Sequence, residues 1–176
     1  MDTQISAAVI GSSPMSGGLR AAVVGTALGC GLVAGAFFAF SSFVMPALNR
    51  LPAPRAVAAM QSINRLAVTP LFMTAMFGTA LACLAIAAWA GFGLGWHGPA
   101  APWVLAGCIV YLIGAIVVTI AANVPLNNAL DAVDPEGPGA AGDWARHARA
   151  WTAWNHVRCA ASTVATGLLT VGLALS

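Results

Sequence analysis

Four stretches of this chain are long and apolar enough to cross a lipid bilayer: roughly Leu19 to Met45, Thr69 to Ala90, Pro102 to Ala122 and Trp151 to Leu175. About 20 apolar residues in a helix span a hydrocarbon core of about 30 Å. None of the runs shows the alternation that a membrane β-barrel requires. Composition points the same way: 60% of the 176 residues are hydrophobic and 7% are charged, against about a quarter charged in soluble domains. Such a chain cannot cover a water-facing surface. The expected fold class is all-α, an integral membrane bundle of four transmembrane helices forming one domain over residues 19–176. The preceding residues 1–18, MDTQISAAVIGSSPMSGG, are small and polar and read as a disordered tail. The apolar run after Arg20 is about 25 residues, longer than the about 7–15 of a secretory signal.

Local signals support these bounds. Thr69 before Pro70 is an N-cap and N1 pair, and Pro102 suits another N1 position. Gly91, Gly93 and Gly95 close the second span. Between spans one and two, Pro54 to Leu66 reads as a short interfacial helix, with Val57, Met60, Ile63 and Leu66 as its apolar positions. The linker DPEGPGAAGD is turn-rich, and span four can begin as early as Asp143.

Four spans put both termini on one side. The other side carries Arg50, Arg55, Arg65, Arg146, Arg149 and Arg158, whereas the terminal side carries Arg20 alone. The positive-inside rule then places the first and third loops in the cytoplasm and the termini outside, in a bacterial-type plasma membrane. Trp89, Trp96 and Trp103 suit an interfacial belt at the terminal side, and His97 in the second loop reads as solvated. The partner implied by composition is the lipid bilayer; a net charge of +2 gives no ground for nucleic acid. Gly25 and Gly29, and Gly31 and Gly35, have the spacing of close helix packing, within the chain or between protomers of a homo-oligomer. Cys30, Cys83, Cys108 and Cys159 fall in four different runs without a C-x-x-C pair, so each reads as a small hydrophobe, against a quinone-reducing thiol enzyme.

Polar residues collect at the arginine-bearing end. Gln61 and Asn64 lie in the first loop, Asn123 and Asn127 where span three ends in NVPLNN, and Trp151, Trp154, Asn155, His156 and Arg158 at the head of span four, WTAWNHVRCA. Trp151, Asn155, Arg158 and Ser162 follow i, i+4, i+7, i+11, one face of a helix. Pro125 removes a backbone donor between Asn123 and Asn127 and is expected to kink span three. Singly, each of these groups reads as structural. Together they predict a polar pocket at one mouth of the bundle, because polar groups inside a membrane are expensive. Three scattered histidines and no carboxylate within a span give no metal shell, so no metal and no cofactor are expected.

N-x-P-L-N (Asn123, Pro125, Leu126, Asn127), then W-N-x-x-R (Trp154, Asn155, Arg158), together with the opening GAFFAFSSFVMPAL, resembles the DUF1772 membrane proteins, whose named members are anthrone oxygenases. The likeness covers about residues 20–175. It implies oxidation of an aromatic polycyclic phenolic ketone to a quinone with O2, of the kind that proceeds without flavin or metal. On that reading Arg158 stabilises the substrate oxyanion and His156 is the general base. Asn155, Asn123 and Asn127 donate hydrogen bonds, Trp151 and Trp154 stack on the flat substrate, and Gln61 and Asn64 complete the pocket. His156 lies outside the family pattern and about 100° from Asn155 on the helix. A non-enzymatic accessory protein whose polar cluster locks the bundle is the alternative. A proton-coupled transporter ranks last for want of a membrane-embedded acid.

Overall fold

The computed structural model describes residues 15–91 and 98–176, and all regular structure among them is helical. The expectations for residues 1–14, and for Trp96 and His97, lie outside the described residues. Four helices cross the bundle: α1 (Gly17–Leu48), α3 (Pro70–Ala90), α4 (Ala101–Asp131) and α5 (Ala140–Ala174). A short helix, α2 (Ala53–Ala67), joins α1 to α3. Each long helix is apolar enough to span a bilayer, so the chain is an all-helical integral membrane bundle. Ser16 caps α1 by accepting a hydrogen bond from Leu19 N, and Thr69 caps α3 by accepting one from Phe72 N. Met15, assigned to the tail on sequence grounds, packs into the core.

α5 is the central element. It packs against α1 and α4 along its length, while α3 closes the ring between α1 and α4. The start of α1 and Ser176 share one end, where Arg20 donates to Ser176 Oγ. At the other end, here called the arginine end, α2 lies across the bundle. Its buried face is Ala56, Val57, Met60, Gln61 and Asn64, whereas Leu66 is exposed. Of the expected apolar positions, Val57 and Met60 are buried and Ile63 packs against the core, so the correction falls on Leu66. Steps of three drift by about 60° each on a helix of 3.6 residues per turn, so the fourth member of such a series stands about 180° from the first. Gln61 donates to the carbonyls of Leu130 and Val133 at 3.0 and 2.9 Å. It thereby binds a carbonyl of the last turn of α4, Leu130, and one of the turn that follows, Val133.

α4 does not end near Ala122. It continues through Pro125 to Asp131, because its turns widen to π-helical geometry over Thr119–Asn123, just before the proline. α1 does the same over Phe40–Val44, before Pro46. A proline cannot donate to the carbonyl four residues earlier, and a widened turn re-spaces the ladder around that gap. Two further wide turns, without a following proline, are Thr74–Gly78 in α3 and Leu112–Val117 in α4.

One apolar core occupies the terminal half of the bundle and a second lies at the arginine end, built from Met45, Leu48, Val57, Met60, Leu130 and Trp144 with their neighbours. Cys30, Cys83 and Cys108, read separately from sequence, converge in the first core. Close helix contact falls where the glycine spacing only partly indicated. A methyl group added at Gly29 would meet Thr79 of α3, whereas Gly25 and Gly35 face open space. The tightest approach between α4 and α5 is at Gly114, where an added methyl would collide with the Ala161 side chain. Gly114→Ala is expected to destabilise the bundle by about 1–3 kcal/mol through overpacking. Adding Ala161→Gly to that variant should restore the melting temperature measured in detergent. Equal melting of Gly114→Ala and the parent would contradict the packing described.

Candidate functional site

Trp151, Asn155, Arg158 and Ser162 are all buried, on the face of α5 that the other helices cover. Of the seven arginines, six are exposed and Arg158 alone is buried, at 5% exposure. It lies sixteen residues from Ala174, about 24 Å along the helix at 1.5 Å per residue. Its guanidinium donates through Nη2 to Asn155 Oδ1 at 2.7 Å and through Nη1 to Thr119 Oγ1 at 3.2 Å. The Cζ atom stands 4.2 Å from the centre of the Phe37 ring and 5.1 Å from that of Trp151. Aromatic faces stabilise a desolvated cation electrostatically, by about 0.5–2 kcal/mol each. Arg158 Nε has no hydrogen-bond partner. Among the described residues the one ion pair joins Arg146 and Asp143 near the start of α5, so no carboxylate neutralises Arg158.

The supports of Arg158 come from two neighbouring helices. Asn155 is fully buried, and its Nδ2 donates to the Phe37 carbonyl and to Ser41 Oγ, both at 2.7 Å. Ser41 lies in the wide turn of α1, and Thr119 opens the wide turn of α4. One residue thus ties α5 to α1 and holds the guanidinium at the same time. From α4, Asn123 Nδ2 donates to the Trp151 carbonyl at 3.3 Å, and Asn127 Oδ1 accepts from Trp151 Nε1 at 2.8 Å. Phe40 packs on Trp151 with ring centres 5.5 Å apart.

Beside this cluster lies a cavity of about 300 Å³, at the lower end of the about 300–1,000 Å³ typical of small-molecule sites. Every helix contributes to its wall. The aromatic lining is Phe37, Phe40, Phe72, Phe77 and Trp151; Met60, Met73 and Met76 add flexible apolar surface. Its polar lining is Asn64, Thr119, Asn127 and Arg158. Asn64 Nδ2, like Arg158 Nε, is a buried donor without an acceptor. An aromatic-lined, mostly apolar cavity with one cation and unspent donors suits an aromatic molecule that carries a negatively charged or electron-rich oxygen.

The structure therefore separates the residues that sequence reasoning grouped. Arg158, Asn64, Asn127 and Trp151 line the cavity. Asn155 and Asn123 stand behind that wall as supports, and Gln61 is engaged at the end of α4. His156 is exposed and borders an outer groove with Asn49, Trp144 and Thr152. Trp154 is exposed as well. His156 and Trp154 thus lie outside the cavity, because each successive helical residue turns about 100° and these two face outward. Phe37, Ser41 and Thr119 were missed. Thr119 continues the four-residue spacing of Asn123 and Asn127, and Phe37 and Ser41 belong to FFAFSS, so both signals were present.

The family model described as anthrone oxygenase matches residues 69–168, which carry α3, α4 and most of α5. No curated protein and no solved structure is detectably similar to the chain.

An unneutralised buried cation opposes folding, since an ion taken out of water loses several kcal/mol of solvation that hydrogen bonds only partly restore. Arg158→Met is accordingly expected to leave the melting temperature in detergent unchanged or raised. A drop as large as that of Gly114→Ala would mean that Arg158 is held for the bundle itself.

Proposed function

Because the chain belongs to the anthrone oxygenase family, we propose that its cavity takes a polycyclic phenolic ketone and that O2 oxidises the ketone there to a quinone. The observation that carries this reading is Arg158, a buried cation without a carboxylate at the wall of an aromatic slot. The substrate carbon opposite the carbonyl is acidic, because its anion is an aromatic phenolate. Arg158 stabilises the charge that develops on oxygen, and with water excluded such an interaction is strong. The proton leaves to water. The anionic carbon then bonds to one atom of O2, and the other atom takes a proton to give a hydroperoxide. The O–O bond breaks as the remaining hydrogen leaves that carbon, which yields the second carbonyl and one molecule of water. O2 is the oxidant, and the carbon goes from CH2 to C=O.

No imidazole or carboxylate is among the described lining residues. The reading therefore places the acidity in the substrate and in Arg158 rather than in a protein base. Asn155 is a positioning residue that acts through the guanidinium it holds. Phe37 and Trp151 supply flat surface on either side of the reacting oxygen's partner.

Oxygen consumption by the purified protein in detergent with a panel of hydroxylated anthrones tests the proposal, against the spontaneous oxidation of each compound. Arg158→Met is expected to lower turnover by about 10²-fold or more, the usual loss on removing an oxyanion donor, while His156→Ala keeps the parent rate. Uptake no faster than the spontaneous reaction, or an Arg158→Met rate equal to the parent, would refute the reading. The accessory-protein alternative draws on the ties made by Asn155 and Gln61 between helices. It expects Asn155→Ala to lower stability with no reaction to lose.

A further inference from the structure

The cavity has no polar mouth. Four of its lining residues are exposed, and all four are apolar: Val68, Phe77, Ile120 and Val124. The polar residues of the lining are buried or half-buried. A pocket filled from water would carry polar groups at its rim, since only such groups keep their hydration there. At the arginine end α2 lies across the cavity, with Met60 and Asn64 buried. Of the four exposed lining residues, Val68 lies where α2 joins α3 and the other three lie on α3 and α4. These helices pack together through Thr79–Gly91 and Ala101–Tyr111, and Tyr111 Oη donates to the Met76 carbonyl at 3.0 Å. Beyond that pin the cavity separates them, edged by Phe77 (39% exposed) on α3 and by Ile120 (57%) and Val124 (41%) on α4.

We propose that this gap is a lateral portal through which the site takes its ligand from the bilayer, and that the ligand class is a planar polycyclic phenol dissolved in the membrane. The proposal rests on the cavity being the substrate site, though not on the oxidation itself. The level of the gap fits such a molecule. Trp89 and Trp103, both exposed, mark the terminal-side boundary of the hydrocarbon. Ile120 lies seventeen residues from Trp103, about 26 Å along α4, close to the opposite boundary of a core of about 30 Å. Amphipathic rings accumulate at that depth, with the flat face among acyl chains and the hydroxyl toward the headgroups. A phenol sliding in edge-on between Phe77 and Ile120 presents its oxygen to Arg158 without crossing water. Its anion then meets the one buried cation of the chain.

The test uses the full chain in phosphatidylcholine nanodiscs and 1,8-dihydroxyanthraquinone, a probe already oxidised and therefore unreactive. Binding is followed by quenching of tryptophan fluorescence in stopped flow. Ile120→Trp and, independently, Val124→Trp narrow the gap; Phe77→Ala widens it. Ile113→Trp, on the lipid-facing side of α4 away from the cavity, controls for bulk at an exposed position. The narrowing variants are expected to slow association and dissociation together by about five-fold or more with little change in Kd, since a barrier on the path alters rates and not the end states. Phe77→Ala should speed both, and Ile113→Trp should match the parent. Rates unchanged in every variant whose melting temperature equals the parent's would overturn the portal. So would a loss of affinity with association unchanged, which would make these residues wall rather than passage. If the probe binds with rates set by the portal but no anthrone consumes O2, the portal stands and the oxygenase reading falls. Oxygen uptake with portal variants unaffected gives the reverse.

Discussion

Among the described residues no carboxylate pairs with Arg158, and the arginine end of the bundle is built around that fact. The cation is desolvated by the helices that bury it. It is compensated by neutral groups alone: the Asn155 carbonyl oxygen, the Thr119 hydroxyl and two aromatic faces. Each is worth far less than a carboxylate at the same distance, since ring faces and single hydrogen bonds contribute about 0.5–3 kcal/mol while desolvation removes several. The deficit is tolerable because the rest of the bundle is favourable. Apolar cores lie toward both ends of α5, with the polar layer of Asn123, Asn155, Arg158 and Ser162 between them. The layer is a local loss inside a structure held by packing on both sides.

The backbone is adapted to the same layer. Of the four wide turns among the described residues, three supply Phe40 and Ser41 from α1, Met76 and Phe77 from α3, and Thr119 and Asn123 from α4, while the fourth, Leu112–Val117 of α4, follows Tyr111. A regular helix presents a residue to the same neighbour every three or four positions, and a wide turn shifts that register by about one residue. In α1 and α4 the shift accompanies a proline, which leaves an unpaired carbonyl whether or not a ligand is present. The proline and the π-helical turn thus solve one problem together, and the cavity is the space left where α3 and α4 part below Tyr111.

How much of this was legible depended on whether a helix stayed regular. α5 is one uninterrupted helix of 35 residues, so the spacing of Trp151, Asn155, Arg158 and Ser162 translated directly into a buried face. The four spans were equally plain, because lengths of about 20 apolar residues answer to the thickness of the bilayer. α2 was legible as a helix but not in its full buried face: Ala56, Val57, Met60, Gln61 and Asn64 are buried, and the polar pair is indistinguishable by type from a solvated face. His156 and Trp154 are close to Asn155 and Arg158 along the chain but lie outside the cavity. Met76 could not be singled out, since a lining residue and a core residue have the same chemistry until a cavity is seen beside them.

A carboxylate next to Arg158 would have been the cheaper construction for stability alone. It would also have filled the position that an anionic ligand needs, and the ligand would then have to displace it. By leaving the cation to neutral acceptors and rings, the fold keeps the cavity wall free of a built-in anion, as the proposed reaction requires. A buried cation attracts a molecule as its negative charge develops, not only one that arrives charged, and that is the condition under which binding turns into stabilisation of an anion. The same construction is consistent with a wall that is mostly apolar, in which Asn64, Thr119 and Asn127 are the polar groups beside Arg158. In a low-dielectric cavity a single cation goes far to fix which edge of an aromatic molecule points inward, so few further polar anchors are needed and most of the remaining surface serves to exclude water and admit the rings.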